Sequence, residues 1–436
     1  MRLIFLIFLV VNILFACSEQ DRILPGKRED ASTAFGFSDQ DKKQFTKSNA
    51  IKLPPMKAND QWRLISSAES KNNPNLMLGE NLSEIWSVSI GKGDSRKKRL
   101  VTDPVFFENR IFTLDANSIA SAFDVNGKLL WKQDLTPPGE KSGEIFGGGL
   151  TLGQDQLFVT LSYGFVLSLD PRTGEKKWSQ RLSGAGNTVP VFDDGLVYLV
   201  SGDSKAWAIS ANNGRIKWKI DAIGNDTNLI SNNAPATNKK YAVFGFGNGE
   251  IYTTFKKGGY VLWSSSLSGR NDGRVISAID DIVASPVIVG RNVFVADGSG
   301  KVVSIKVESG ERNWTAPFGS SGNLWVAGKS LFFISNTNHL VRLKIKTGDA
   351  VWMTELPSFS KKRFGGSKKI IRHYGPIIAG NQIVLASSDG FIRFYNPETG
   401  EQITELKIKN GATTNPIVVD KTLYLITQDG NLRAFR

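Results

Sequence analysis

Pro190-Val191, Leu196-Val197-Tyr198-Leu199-Val200, Ala206-Trp207-Ala208-Ile209 and Asn213-Gly214-Arg215-Ile216-Lys217-Trp218 follow one another in a single short stretch. The apolar runs are too short for helices, and turn formers separate them, so the stretch reads as successive antiparallel strands. Its last element is marked by a glycine followed four residues later by tryptophan. That spacing recurs at Gly127 and Trp131, Gly174 and Trp178, Gly259 and Trp263, Gly310 and Trp314, and Gly348 and Trp352. A seventh copy, at Thr399-Gly400, carries Thr404 in the tryptophan slot. The glycine supplies the positive φ of a tight turn into the last strand. The tryptophan covers a large apolar area there and can wedge against the next unit. Four strands at a period of about 40–45 residues is the sequence signature of a propeller blade.

The two ends of the chain settle the count. An eighth unit runs Asn415-Pro416-Ile417-Val418-Val419, Leu423-Tyr424-Leu425-Ile426 and Leu432-Arg433-Ala434-Phe435-Arg436, and stops before any Gly-to-Trp strand. One unmatched strand of that kind, Ile85-Trp86-Ser87-Val88-Ser89-Ile90, lies near the start. Placing it on the last unit closes a ring and removes an exposed sheet edge. An open solenoid or two β-sandwiches would leave both ends unexplained. The expected fold is therefore all-β: an eight-bladed β-propeller of four-stranded antiparallel blades, closed by an N-terminal strand completing the last blade.

Composition narrows the chemistry. With 436 residues, 22% charged and 40% hydrophobic, the chain can bury a full core. One cysteine, Cys17, excludes an intramolecular disulfide and any Cys-based zinc cluster. The only two histidines, His339 and His373, fall in different units and form no ligand spacing; both read as surface residues. The net charge of +13 favours acidic or anionic neighbours without saying which.

Met1-Arg2 followed by the apolar run Leu3 to Val11 reads as a secretory signal, too short to span a bilayer. It ends Leu14-Phe15-Ala16-Cys17, which resembles the lipobox of bacterial lipoproteins. That resemblance implies cleavage before Cys17, lipidation of its thiol and no metal or cofactor role for it. An ordinary signal peptide with a chance cysteine is the other reading. Ser18, in place of an inner-membrane retention aspartate, implies the outer membrane, facing the periplasm. Residues 1–16 are thus expected as signal peptide, 17–80 as lipid anchor and mostly flexible tether, and 81–436 as the propeller. The tether is polar and carries Pro25, Pro54, Pro55 and Pro74; Trp62 is expected to pack on the folded body.

The phrase Ser168-Leu169-Asp170-Pro171-Arg172-Thr173-Gly174-Glu175-Lys176-Lys177-Trp178 resembles the repeat of pyrroloquinoline-quinone (PQQ) enzymes. Two families carry it in eight-bladed form: quinoprotein dehydrogenases, and BamB, the lipoprotein of the outer-membrane β-barrel assembly machine. Residues 50 to 436 resemble BamB in its alphaproteobacterial form, through Leu53-Pro54-Pro55, Trp62, Ile85 to Gly91, Arg96-Lys97-Lys98-Arg99 and Ile279 to Ile288. The resemblance implies a scaffold, not an enzyme, without cofactor or metal. Its implied partners are the barrel-inserting outer-membrane subunit (BamA-like) and the other lipoproteins of the complex, with unfolded outer-membrane proteins as a further partner and the membrane reached through the lipid anchor.

The family's contact loops match Leu229-Ile230-Ser231-Asn232-Asn233-Ala234-Pro235, before blade four, and Asp280-Asp281-Ile282-Val283, before blade five. The implied partner-binding residues are Leu229, Ile230 and Asp281. Ile230 stands where better-known members have arginine, and Val283 where they have a second aspartate, leaving an apolar contact with one acid. Turn capping is the other role open to Asp281, and packing beneath a loop the other role open to Leu229 and Ile230.

A quinoprotein dehydrogenase would need a carboxylate base and a calcium site, and often a vicinal cysteine pair. The single cysteine forbids the pair, and Asp124, Asp170 and Glu398 are scattered through repeat turns. The basic runs Arg96 to Arg99 and Lys361 to Arg372 read as solvated loops, or as surfaces for anionic head groups; an envelope address argues against nucleic acid. Phe318, Trp325 and Phe364 lie near loops and line either a partner groove or the core.

Overall fold

A computed structural model describes residues 50–62, 74–95, 98–145, 147–186, 188–222, 233–267, 282, 284–320, 322–360 and 369–436. Cys17 lies outside them. The described chain is built of β-strands in eight sheets, the blades of a propeller. Blade one is Val105–Phe107, Arg110–Leu114, Ile119–Asp124 and Leu129–Asp134, each strand antiparallel to the next. Blades two to six repeat this order, from the strand Gly148–Gly153 to the strand Ala350–Glu355. Blade seven is His373–Ala379, Gln382–Ser387, Phe391–Tyr395 and Gln402–Lys407. Blade eight takes Ile417–Val419, Thr422–Ile426 and Asn431–Phe435 from the C-terminus and Glu84–Ser89 from the other end of the chain. In that last pairing Trp86 lies opposite Ala434 and Ser89 opposite Asn431. The guanidinium of Arg433 forks onto both Glu84 carboxylate oxygens at 2.9 Å, tying the two strands by side chains as well.

The core lies between neighbouring blades. One cluster joins Phe112 and Leu114 of blade one to Leu150, Leu157 and Val159 of blade two. Another joins Ile417, Val419 and Tyr424 of blade eight to Phe106, Ile111 and Phe123 of blade one. Strand alternation explains this: each sheet is buried on both faces, so its middle strands are apolar at nearly every position. In the second strand of blade three, Leu196–Ser201, five of six residues are buried.

Tryptophans staple the blades together. Trp131 donates its indole N–H to the carbonyl of Pro171 in the next blade at 3.0 Å, Trp178 to Ala211 at 2.8 Å, and Trp218 to Lys256 at 3.2 Å. Trp263, Trp314 and Trp352 do the same to Val307, Ile345 and Pro397. Trp86 completes the series with Val125 of blade one, at 2.9 Å. Each ring lies against the turn glycine of that next blade. A β-carbon on Gly174 would stand 2.6 Å from the Trp131 ring, and one on Gly400 the same distance from Trp352. The glycines are thus required for positive φ and for space. The staple also accounts for Thr404: blade eight, into which it would point, has no such turn, because there the third strand ends at Phe435 and the fourth begins at Glu84.

A different device spans that junction. Asn75–Leu76 pairs in parallel with the inner edge of His373–Ala379, and Met56–Lys57 pairs in parallel with Asn75–Leu76. Asn75 is fully buried and bonds to Pro54 and Asn381. The Asn59 carbonyl accepts from the Asp420 N–H, and its amide donates to Val418, on blade eight. Trp62 exchanges two 2.8 Å backbone bonds with Phe106, the inner strand of blade one, and stacks on Trp325, the inner strand of blade six. The inner strands bound the ring's axis, so this segment fills one end of the central channel. The expected boundary at residue 81 is corrected accordingly: the folded unit includes residues 50–62 and 74–80. Aperiodic, proline-rich sequence hid this, because two-residue strands leave no pattern to read.

Candidate partner interface

Strand order assigns the loops to two faces. In seven of the eight blades the residue after the outer strand returns a bond to the turn between the second and third strands, among them Leu135 N–H to Ser118, Leu182 to Gly164, Ala222 to Ser204, Leu267 to Gly249 and Leu356 to Asn338; in blade five that residue is Pro317, which has no N–H. Inter-blade connections therefore leave on the same face as those turns. The opposite face carries the short hairpins that receive the tryptophans.

Leu229, Ile230 and Asp281 all belong to inter-blade connections, before blades four and five. They lie outside the described residues, as does Val283. The points where both connections rejoin the ring are described, and they meet. Asn233, almost fully buried, donates its side-chain amide to the carbonyl of Ile282 at 2.8 Å and accepts on its own carbonyl from Val189 at 3.2 Å. The Ala234 N–H donates to Ser285 Oγ at 2.9 Å. Ile282 packs among Ala236, Val243, Ile251 and Val293, and its methyl would collide with any side chain at Gly245. The lead-ins to blades three, four and five are thus one hydrogen-bonded unit. Asn233 was not singled out in the sequence; its place two residues before Pro235, at the head of an inner strand, was the available signal.

The same lip carries a second polar cluster across the ring. Asp103, directly before Pro104, accepts from the Asn415 N–H at 2.9 Å and from its side-chain amide at 2.7 Å; Asn415 in turn accepts from the Gly375 N–H at 2.7 Å. Asp103 is only half-buried by area, yet protein surrounds it. That desolvation pushes its carboxyl up to about 6, against the opposing pull of the two Asn415 bonds. His373 corrects the expectation of a surface histidine. It is half-buried at the start of blade seven, with Nε2 2.9 Å from the Pro357 carbonyl and Nδ1 2.7 Å from Ser387 Oγ. Burial holds its pKa below the usual histidine value. His339 is half-buried as well, with Nδ1 3.2 Å from Thr337 Oγ1. Phe318 and Trp325 belong to the core, not to a groove; Phe318 packs edge-on against Phe333. Phe364 lies outside the described residues.

Of the basic runs, Lys98 donates to the neutral amide oxygen of Asn117 in the blade-one turn, and Arg99 pairs with Asp94 at 2.9 Å, so Arg99 is partly neutralised within its own loop. Among the described residues no three His, Cys, Asp or Glu side chains group in a way that could hold a metal ion.

A family model described as outer membrane protein assembly factor BamB matches residues 115–354, more than half of the chain. The chain belongs to the BamB family. Among its relatives, outer membrane protein assembly factor BamB of Yersinia pestis is 21% identical over 360 residues, covering 81% of this chain and 88% of the relative. The crystal structure of BamB from Moraxella catarrhalis superposes with a TM-score of 0.67 at 17% identity, covering 82% of this chain and all of that one. A europium-containing methanol dehydrogenase superposes equally well, with a TM-score of 0.67 at 12% identity, over 86% of this chain and 98% of that one. The BamB fold is thus shared with quinoprotein enzymes, and superposition alone does not separate the two functions.

Proposed function

We propose that this chain is a non-catalytic scaffold lipoprotein of the outer-membrane β-barrel assembly machinery. It is anchored through acyl chains on Cys17, faces the periplasm, and binds the periplasmic domains of the barrel-inserting subunit through Leu229, Ile230 and Asp281. The observation that carries the reading is the Asn233–Ile282 bond. It joins the two points where the connections carrying the candidate residues rejoin the ring, so a single partner domain can reach both connections. A non-catalytic role is supported by the channel, where the chain's own Trp62 and Asn75 occupy the inner edges of blades one and seven.

Replacing Leu229, Ile230 and Asp281 together by alanine is expected to reduce co-purification with the barrel-inserting subunit from solubilised membranes, with the unfolding midpoint unchanged. Undiminished co-purification removes these residues from the interface. Replacing Cys17 by serine is expected to release the chain from the membrane fraction, and retention there would overturn the anchor.

A further inference from the structure

The eight outer strands expose one free edge each, and such edges invite pairing with another chain unless charges protect them. Seven carry at least one ionisable residue, among them Glu84 in blade eight, Lys132 and Asp134 in blade one, Lys176, Lys177 and Arg181 in blade two, and Arg312 in blade five. The remaining outer strands of blades three, six and seven are likewise charged. Blade four alone has none: its outer strand is Val261-Leu262-Trp263-Ser264-Ser265-Ser266. Among the described residues no strand pairs with its outer edge.

This edge also gathers exposed apolar side chains, as the charged edge of blade one does at Leu129 and Leu130. Tyr260 is 77% exposed, Val261 46%, Leu262 36%, and Phe255 at the end of the neighbouring strand 43%. Apolar surface thus gathers at one end, while Ser264, Ser265 and Ser266 leave room beside the other. The strand pairs with Glu250–Phe255 through a register shift at Thr253 and Thr254, and Arg312 of blade five donates to the Ser266 carbonyl at 3.1 Å. It leads directly into the connection that carries Asp281, and its blade begins just after the connection that carries Leu229 and Ile230.

The geometry points to the outer edge of blade four as a site for strand addition, taking an extended segment of an unfolded β-barrel protein. This rests on the scaffold role proposed above and names where an incoming client is held beside the inserting subunit. A six-residue edge, about 20 Å long, offers alternate backbone N–H and C=O groups that only an extended chain satisfies. The lack of charge suits segments alternating apolar and small polar residues, the pattern of membrane β-strands. A second copy of this chain is the poorer occupant. Antiparallel self-pairing over the whole strand sets Val261, Leu262 and Trp263 opposite Ser266, Ser265 and Ser264, so no apolar pair forms.

The test uses the full-length chain in detergent and, as probe, an eight-stranded outer-membrane barrel protein unfolded in urea and diluted rapidly. A photo-crosslinking side chain at Ser264 is expected to capture the probe. The same side chain at Ser179, the matching slot on the charged strand of blade two, is expected to capture far less. The double substitution Leu262→Lys, Ser264→Lys should weaken binding of the fluorescent probe about tenfold, while Leu262→Val, Ser264→Thr leaves it unchanged. Equal capture from both slots, capture from Ser264 of a second copy only, or lysine substitution without effect overturns the proposal. Co-purification of the lysine variant with the inserting subunit is expected to persist. If the wild-type chain itself fails to co-purify, the scaffold reading falls, and the crosslinking result still decides the edge.

Discussion

Alanine at Gly174 should cost far more stability than alanine at Gly195, although the two backbones are nearly alike. Their φ values are 79° and 76°, so a β-carbon brings about 1–2 kcal/mol of left-handed strain to each. The surroundings differ. At Gly195 the new methyl meets nothing within 4 Å, whereas at Gly174 it would lie 2.6 Å from Trp131 Cε3 and 2.8 Å from Cδ2. The indole cannot retreat cheaply, because Pro171 holds its N–H at 3.0 Å and Phe112 backs its ring at a centroid distance of 6.0 Å. Overpacking of this kind adds about 1–3 kcal/mol. The expectation is therefore about 1–2 kcal/mol for Gly195→Ala and about 2–5 kcal/mol for Gly174→Ala. Guanidinium unfolding followed by tryptophan fluorescence and far-UV circular dichroism measures both, provided the two signals coincide so that one free energy is defined. In a Trp131→Leu background the penalty at Gly174 should fall to that at Gly195. Equal losses at the two glycines, or no coupling to Trp131, would refute the staple.

Trp352→Ala should destabilise by about 3–5 kcal/mol, since the ring is buried and bonded to Pro397; Thr404→Trp should bring no gain, because no glycine turn awaits it, and a raised unfolding midpoint would contradict this. Trp62→Ala, which removes the stack on Trp325, should cost about 2–3 kcal/mol and speed limited proteolysis near blades seven and eight; unchanged digestion would argue against a latch. The raised Asp103 pKa makes that carboxyl a source of stability below pH 3.8 that is lost as pH rises through about 6. The midpoint of wild type relative to Asp103→Asn should therefore fall as pH rises from 3.8 to about 6 and then level off, and a constant difference would contradict it. His373 has the opposite sign: its depressed pKa gives stability present above pH 6.5 and lost on acidification, so His373→Gln should flatten the acid side of the profile.

The repeat was legible because its marks are local. Gly and Trp sit four residues apart in every full copy, short apolar runs mark the middle strands, and only the outer strands alternate in burial. Even the role of Trp86 could be read, since a lone outer strand at one end matches a missing one at the other. The channel segment was not legible. Its strands are two residues long, it pairs in parallel with an inner edge, and its partners Val418 and Asn381 are more than 300 residues away. Asn233 and Ile282 are 49 residues apart and joined by one side-chain bond, which no periodicity reveals. His373 reads as a surface residue in a basic stretch, and only the fold brings Pro357 and Ser387 against its ring. The candidate contacts Leu229, Ile230 and Asp281 came from family resemblance alone, and they lie outside the described residues.

Titration of the full-length chain against the purified periplasmic domains of the barrel-inserting subunit, by calorimetry in detergent, tests the scaffold role most directly. The account predicts a saturable one-to-one complex that weakens about tenfold when Leu229, Ile230 and Asp281 are replaced together. Absence of any complex with the folded ring would contradict it.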